Sequence, residues 1–340
     1  MGVLIMTYYN VAFEEKQYRA VANRAAKYFQ DRCDSSIIPL IVSDVPDAYE
    51  YRYVNLLDPH ASSAGLEWSA HGQKGTVVHN YSDYELYTQQ LNLMFDLNER
   101  NKFGDALIAD KRGALIDKWA IDVDLSAFHG PMASMGLGID NPTLIAAGTV
   151  KRPGSQLAEG LIGQLTSIEN LDGTDSVLDV KGDIWYGINT MIDAIPFAIR
   201  KEGPPMIMIT DEYVPKEASS PDRIYMDSVE IDFIKKYLMG EGATEGRKIG
   251  KWLVSNKILA EVSDDTDGVA PDSTDTVGTD SRIMLFVPDP RWCGRIVSRG
   301  FSLVGEDSGA LGTEQIYGWK GRAVWFNTDC AEYSENIYWA

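Results

Sequence analysis

The stretch Arg112-Gly-Ala-Leu-Ile-Asp-Lys-Trp-Ala-Ile-Asp-Val-Asp-Leu-Ser-Ala-Phe-His-Gly130 carries the strongest structural signal in this chain. Its apolar residues extend a stripe within Lys102 to Phe128 that comprises Ile108, Leu115, Ile116, Trp119, Ala120, Val123 and Phe128. Spacings of three and four residues place these side chains on one face, which predicts a helix of roughly seven turns. The helix should end at His129-Gly130-Pro131, because glycine adopts a left-handed cap and proline cannot continue a helix.

Two segments before this helix have recognisable patterns. Apolar residues at helical spacing between Phe13 and Gln30 predict an amphipathic helix. From Tyr51 to Tyr87, short apolar pieces are interrupted by Asp58-Pro-His and by His71-Gly-Gln-Lys-Gly75, a pattern that predicts a twisted hairpin with a loose tip. A long hairpin does not bury both faces by itself, so we expect it to lie on the body of the protein or on a neighbouring subunit.

The part of the chain after the long helix alternates helical and extended patterns. The spacing predicts helices over 175–198 and 227–239. It predicts strands at 204–210, 252–254, 258–260, 282–287 and 317–326, and an earlier strand within 84–94. Helices and strands are intermixed and no internal repeat is visible, which indicates a mixed α and β protein.

Composition and charge exclude several classes of protein. The chain has 340 residues, of which 44% are hydrophobic, so it can form a large folded core rather than a disordered chain. Fifty acidic residues against 31 basic ones give a net charge of −19, which argues against a surface that neutralises nucleic-acid phosphates. No apolar stretch approaches the roughly 20 residues that span a bilayer, and Met1–Met6 lacks the features of a secretory signal. Cys33, Cys293 and Cys330 are widely spaced, which favours free thiols in a reducing compartment.

Sequence motifs for catalysis and cofactor binding are absent. The chain has no phosphate-binding loop, no zinc-protease motif and no paired-cysteine motif. Its four histidines, His60, His71, His79 and His129, are read as exposed loop residues rather than metal ligands. The acidic stretch Asp264–Asp280 lacks the spacing of a calcium loop and is read as a solvated connection, with cation binding left open. We therefore assign no catalytic, cofactor-binding or metal-binding residue, and no cofactor.

Residues 112–130, followed by Gly136-Leu-Gly-Ile-Asp-Asn-Pro142, resemble the spine helix of tailed-virus major capsid proteins with the Hong Kong 97-type fold. The encapsulin-like branch is the most similar. The resemblance implies an α+β fold, whose expected parts are an N-terminal arm (1–48), an extended β-hairpin loop (49–88), a peripheral domain with the spine helix (89–149), an apical mixed α/β domain (150–312) and return strands of the peripheral domain (313–340).

The resemblance also implies a function. It identifies a structural major capsid protein, not an enzyme, that self-assembles into an icosahedral shell of pentamers and hexamers around double-stranded DNA. The implied partners are other copies of the chain, contacted by the arm and by a hairpin clasp that includes Leu66 and Trp68. Separate scaffold, decoration and portal proteins and packaged DNA without sequence-specific contact are further implied partners, with no membrane.

The implied location is the virion, after assembly in a host cytoplasm. An encapsulin-type nanocompartment shell and a hydrolytic enzyme are the alternative interpretations. Lys74 lies in the loop that carries the cross-linking lysine in some members, but no partner asparagine can be matched, so cross-linking is not inferred.

Overall fold

The computed structural model describes residues 22–27, 29–45, 47–56, 79–130, 160–165, 183–222, 224–226, 228–255, 258, 280–309 and 312–338. These residues contain two four-stranded sheets. Sheet I has the strand order β1-β10-β11-β4, and sheet II has the order β12-β9-β5-β8. Except for β10 and β11, strands that are neighbours in a sheet lie far apart in the sequence. The chain passes from sheet I to sheet II, back to sheet I and again to sheet II.

The strands of sheet I are β1 (Leu40–Val42), β4 (Tyr87–Asp96), β10 (Cys293–Gly309) and β11 (Gly312–Trp325). Those of sheet II are β5 (Met206–Thr210), β8 (Ile249–Val254), β9 (Asp280–Phe286) and β12 (Ala331–Tyr338). Two hairpins consist of β2 (Glu50–Leu56) with β3 (His79–Glu85) and β6 (Ile224–Tyr225) with β7 (Ser228–Val229). The helices are α1 (22–27 and 29–32), α2 (Leu97–His129), α3 (Asp183–Ala194), α4 (Phe197–Glu202), α5 (Tyr213–Ala218) and α6 (Glu230–Ile234), which continues as a π-turn over Lys235–Met239.

Helix α2 confirms the predicted long helix and begins at Leu97 rather than Lys102. Most of the predicted apolar stripe is buried, namely Leu115, Ile116, Trp119, Ala120, Val123 and Phe128. Gly130 has a φ of 92°, and its N–H donates to the Ser126 carbonyl at 2.9 Å. This left-handed residue ends the helix as the sequence predicts, because glycine has no Cβ to oppose that conformation.

Sheet I is built around the long antiparallel pair of β10 and β11. Strand β4 extends it antiparallel to β11, and β1 extends it parallel to β10. Helix α2 packs on one face, where the ring centroids of Trp119 and Phe301 are 4.8 Å apart and those of Phe301 and Tyr317 are 5.4 Å apart. The amphipathic stripe of α2 therefore forms one side of a continuous aromatic core.

Sheet II has β5 at its centre, parallel to β8 and antiparallel to β9. All five residues of β5 are buried, as predicted for the apolar run between Pro204 and Thr210. The predicted helix over 175–198 is present as α3, with residues 175–182 outside the described part. The predicted helix over 227–239 begins at Glu230. These helices pack on β5 and β9 to form an apolar cluster.

Strands β10 and β12 each pair with a strand from another of the expected ranges. Strand β10 falls in the range assigned to the apical domain, 150–312, yet it pairs in sheet I with β11 and β1. Strand β12 falls in the range assigned to the peripheral return strands, 313–340, yet it pairs with β9 in sheet II. Hydrogen-bond partners distant in sequence decide which sheet a strand joins, and the local sequence pattern does not encode them.

The described part of the expected N-terminal arm packs on its own subunit. Ala25, Phe29 and Cys33 are buried in the core beside α2. The Asp124 carboxylate of α2 accepts hydrogen bonds from the backbone N–H of Asp34 at 3.1 Å and of Ser35 at 2.7 Å. A buried carboxylate that receives two backbone donors fixes the position of the segment that carries them.

Several sequence predictions lie outside the described residues. They concern the start of the amphipathic helix, the hairpin tip with Leu66, Trp68 and Lys74, and the glycine-rich segment 136–142. Of the strand predicted at 258–260, only Ile258 is described, and it lies in a bend; residues 259–260 and the acidic loop 264–279 are outside the described residues. Within the described part of the chain, no helix is both long and apolar enough to cross a membrane.

Candidate assembly interface

The β2–β3 hairpin is the part of the fold that the sequence analysis expects to lie on the body of the protein or on a neighbouring subunit. Its strands are in antiparallel register from Glu50 opposite Glu85 to Leu56 opposite His79. Across the register, the Arg52 guanidinium binds both carboxylate oxygens of Asp83, at 2.7 and 2.9 Å. The Arg52 hydrogen bond holds the pKa of Asp83 below its ordinary value. Because this ion pair is exposed, it sets the register more than it stabilises the fold.

An aromatic cluster joins the base of the hairpin to sheet I. The ring of Tyr53 stacks on that of Phe326, with centroids 4.1 Å apart and planes 5° apart. Tyr84 meets the same phenylalanine edge-on at 5.6 Å, and Tyr51 lies at 6.4 Å. Three tyrosines of the hairpin therefore surround one ring of the body, an arrangement that fixes the direction in which the hairpin leaves it.

Hydrogen bonds reinforce this aromatic contact. The Tyr53 hydroxyl donates to the Arg291 carbonyl at 2.6 Å, and the Leu86 N–H donates to the Tyr49 carbonyl at 2.8 Å. Arg291 is held in turn by Asp289, whose carboxylate receives the guanidinium at 2.8 and 3.0 Å and whose pKa this hydrogen bond lowers. Burial raises the pKa of Tyr53 and of Tyr84, so both hydroxyls stay neutral donors in neutral solution.

A short segment, here called the strap (residues 43–45 and 47–49), covers the face of sheet I opposite α2. The Lys320 ammonium of β11 donates to the Asp47 carbonyl at 3.1 Å and lies 3.3 Å from the centroid of the Tyr49 ring. Arg299 of β10 forms an ion pair with the Asp47 carboxylate. Burial lowers the pKa of Lys320, and the Tyr49 ring and the Asp47 carbonyl replace part of its lost hydration.

A row of exposed apolar side chains runs along β1 and the strap. Leu40, Val42, Val45 and Tyr49 are 55%, 68%, 61% and 78% exposed, whereas Ile41 packs inward against the cluster around Ile296 and Val324. Within the part of the chain that the structure describes, β1 is also an edge strand of sheet I. An apolar edge strand can pair with another chain, so this row is the candidate interface.

The described residues contain little that is arranged for chemistry. Among them no group of three or more His, Cys, Asp or Glu side chains could hold a metal ion. A cavity between α2 and sheet I has a volume of about 10 Å³, room for at most one water molecule. The fully buried carboxylates of Asp124, Asp211 and Glu230 accept backbone N–H groups, which is a structural role.

The sequence analysis did not identify the residues that build this interface. Phe326 and Lys320 both belong to the strand predicted at 317–326, and the sequence analysis assigned neither of them a further role. Their roles depend on Tyr53 and Tyr49, which lie more than 200 positions earlier in the sequence. The alternation of Leu40-Ile41-Val42 was the available signal, since an apolar run with one inward residue marks an edge strand with an exposed face.

The fold was compared with known proteins. No family model matches the chain, and no curated protein matches it. Among solved structures, the capsid of Myoviridae phage XM1 aligns over 88% of this chain and 90% of that chain, with a TM-score of 0.56 and 10% sequence identity. A structure of the satellite phage P4 procapsid, which includes the size determination (Sid) protein, aligns over 100% and 99%, with a TM-score of 0.51 and 10% identity.

These likenesses establish the class of fold. The chain is a mixed α+β protein with the Hong Kong 97-type capsid fold, as the segment 112–142 predicts. At 10% identity the alignment shows the path of the backbone and carries no residue roles from one protein to the other. The function therefore has to be argued from the fold together with the surfaces described above.

Proposed function

We propose that this chain is a structural major capsid protein that self-assembles into a closed icosahedral shell of pentamers and hexamers around double-stranded DNA. The observation that carries the proposal is the agreement of the fold with phage capsid structures over nearly the whole length of both chains. In this role the chain is not an enzyme, and its functional site is the set of surfaces that contact other copies.

The surfaces of the described residues support self-assembly. The β2–β3 hairpin is fixed at its base by Phe326, so its strands leave the body in one direction. The apolar row along β1 and the strap leaves an edge strand uncovered within the described residues. We expect the hairpin and this row to contact neighbouring subunits, because repeated contacts between different surfaces close into rings and shells.

The proposal extends to partners and location. Other copies of the chain are the principal partner, and separate scaffold, decoration and portal proteins are further expected partners. The net charge of −19 supports enclosure of DNA without tight binding, because the shell as a whole repels phosphate. We expect the chain in the virion, after assembly in the cytoplasm of a host.

Expression of the full chain tests the proposal. Electron microscopy and light scattering should show closed particles of uniform size. A stable monomer or dimer across a range of salt and protein concentrations would contradict self-assembly. The nanocompartment alternative has the same fold, so the contents of particles from the native source distinguish the two: DNA supports the capsid and an enzyme cargo supports the compartment.

A pair of valine variants tests the position of the interface. Val42→Lys places a charge in the exposed row at a side chain that is 68% exposed, so folding should be unchanged while particle yield falls roughly tenfold. Val254→Lys is the matched control, at a 48% exposed valine that ends β8 of sheet II. Equal yields from the two variants would show that the β1 row takes no part in assembly.

A further inference from the structure

Two of the three cysteines meet where the two sheets join. Cys293 is the first residue of β10 in sheet I, and Cys330 ends the 3₁₀ turn Thr328–Cys330 that leads into β12 of sheet II. Neither residue has any exposed surface, and both belong to the apolar cluster shared by the sheets. The third, Cys33, lies in another cluster beside α2, where its thiol donates to the Ala120 carbonyl at 3.5 Å.

Interlocking hydrogen bonds bring the two thiols together. The Cys330 thiol donates to the carbonyl of Trp292, the residue before Cys293, at 3.8 Å. The Cys293 thiol donates to the Val287 carbonyl at 3.7 Å, and the Val287 N–H donates to the Cys330 carbonyl at 3.0 Å. Each side chain is therefore directed at backbone next to the other cysteine.

The same surroundings keep the pair unreactive in the folded chain. Two causes raise the pKa of the Cys330 thiol: its hydrogen bond with the Cys293 thiol is the larger, and burial is the next. A thiol reacts with a disulfide as its thiolate, so a raised pKa and complete burial slow the reaction. Oxidation should proceed through local opening of the turn at Thr328–Cys330, whose first two residues are exposed.

We propose that Cys293 and Cys330 form an intramolecular disulfide when the chain meets an oxidising solution. In the reaction both thiols lose their protons, one S–S bond forms between them, and two electrons pass to a small disulfide oxidant. Oxidised glutathione is such an oxidant, and it leaves as two glutathione thiols when its own S–S bond breaks. The proposal does not depend on assembly into a shell.

The cross-link would stabilise the chain by closing a loop. Residues 293 and 330 bracket β10 and β11, the longest strand pair of sheet I, so the bond closes this hairpin at its open end, where Cys293 lies opposite Trp325. A covalent loop of this length reduces the freedom of the unfolded chain, and we expect the unfolding midpoint to rise by roughly 5 °C.

The test uses the full chain after incubation with oxidised glutathione at mildly alkaline pH, with and without a low concentration of urea. Digestion and mass spectrometry without reductant should find the peptides of Cys293 and Cys330 joined, with the loss of two hydrogen masses. Urea below the unfolding transition should accelerate the reaction, and a reductant should reverse both the bond and the rise in midpoint.

Cysteine variants separate the proposed bond from other reactions. Cys33→Ala should still lose two hydrogen masses, whereas Cys293→Ala and Cys330→Ala should not. The unfolding midpoint of each variant in reductant establishes that it folds. Three alkylatable thiols in the oxidised and then unfolded parent chain would overturn the proposal. So would a disulfide that joins Cys33 or links two copies of the chain.

Discussion

Strands β5 and β11 are both inner strands of their four-stranded sheets, yet they differ in what covers them. The difference for β11 lies on the face opposite α2. All of β5 is buried, and its residues are Met-Ile-Met-Ile-Thr. Nine consecutive residues of β11, Tyr317 to Trp325, are also buried, but they include Lys320 and Arg322. Helices and apolar side chains pack around β5, whereas the face of β11 opposite α2 lies beneath the strap and the base of the hairpin.

The difference separates a closed internal core from the face that carries the candidate interface. Around β5 the covering side chains come from helices, strands and turns and are mostly apolar, and the result is a closed apolar core. On the face of β11 opposite α2, the covering segments are the strap and the base of the hairpin. The strap also carries part of the exposed apolar row. Lys320 on that face binds a backbone carbonyl and an aromatic ring of the strap, so it orients this segment rather than fills a core.

The largest effect should follow from placing in β5 a charged side chain like those buried in β11. Met208 has no exposed surface and lies between Trp252 and Leu285 in the register. Met208→Lys would bury an ammonium group among apolar neighbours, and we expect a loss on the order of 4 kcal/mol in the free energy of unfolding. Chemical denaturation followed by circular dichroism measures it.

The control for this substitution is Met94→Lys, at a methionine of β4 that is 68% exposed. It should change the free energy of unfolding by less than about 0.5 kcal/mol, as surface changes usually do. If Met208→Lys were as harmless as the control, sheet II would not contain the closed core that distinguishes it from sheet I.

An intermediate effect is expected at the hairpin base. Tyr53→Phe removes the hydroxyl that donates to the Arg291 carbonyl and keeps the ring stacked on Phe326, so it should cost about 1 kcal/mol. Thermal unfolding at neutral pH measures the loss. Tyr237→Phe, at a tyrosine that is 39% exposed in the π-turn after α6, is the control and should match the parent chain.

The same hydroxyl should produce a dependence on alkaline pH. Burial raises the folded pKa of Tyr53 above its ordinary value of 10.0. The folded chain then binds more protons than the unfolded chain, so the contribution of neutral Tyr53 is complete below pH 10.0 and is lost as pH rises through the folded pKa. In Tyr53→Phe the decline above that pH should be shallower. Identical curves would place Tyr53 in water rather than against the body.

The smallest effect should come from Lys320→Met, which gives β11 an apolar side chain like those of β5. The substitution removes the cost of burying a charge and also removes its contacts with the Asp47 carbonyl and the Tyr49 ring. These terms oppose each other, so the free energy of unfolding should change by less than about 1 kcal/mol. A loss above about 3 kcal/mol in urea titration would mean that Lys320 is an essential part of the core.

Several elements could be predicted because their signals are local. The stripe from Leu115 to Phe128 and the cap at Gly130 defined α2, and the apolar run before Thr210 defined β5. The start of α2 at Leu97 was missed because residues 97–101 are mostly polar and follow β4 directly. The sheets that β10 and β12 join could not be predicted, because strand pairing depends on partners distant in sequence.

The sequence by itself determined the periodic elements, the fold class through the segment 112–142, and a charge that disfavours nucleic-acid binding. Helical spacing and glycine caps act over a few residues, so one sequence is enough to read them. Only the tertiary structure decided that Phe326 anchors the hairpin, that Lys320 holds the strap, and that Cys293 meets Cys330. Those contacts join residues that are tens to hundreds of positions apart, and packing brings them together without leaving a periodic trace in the sequence.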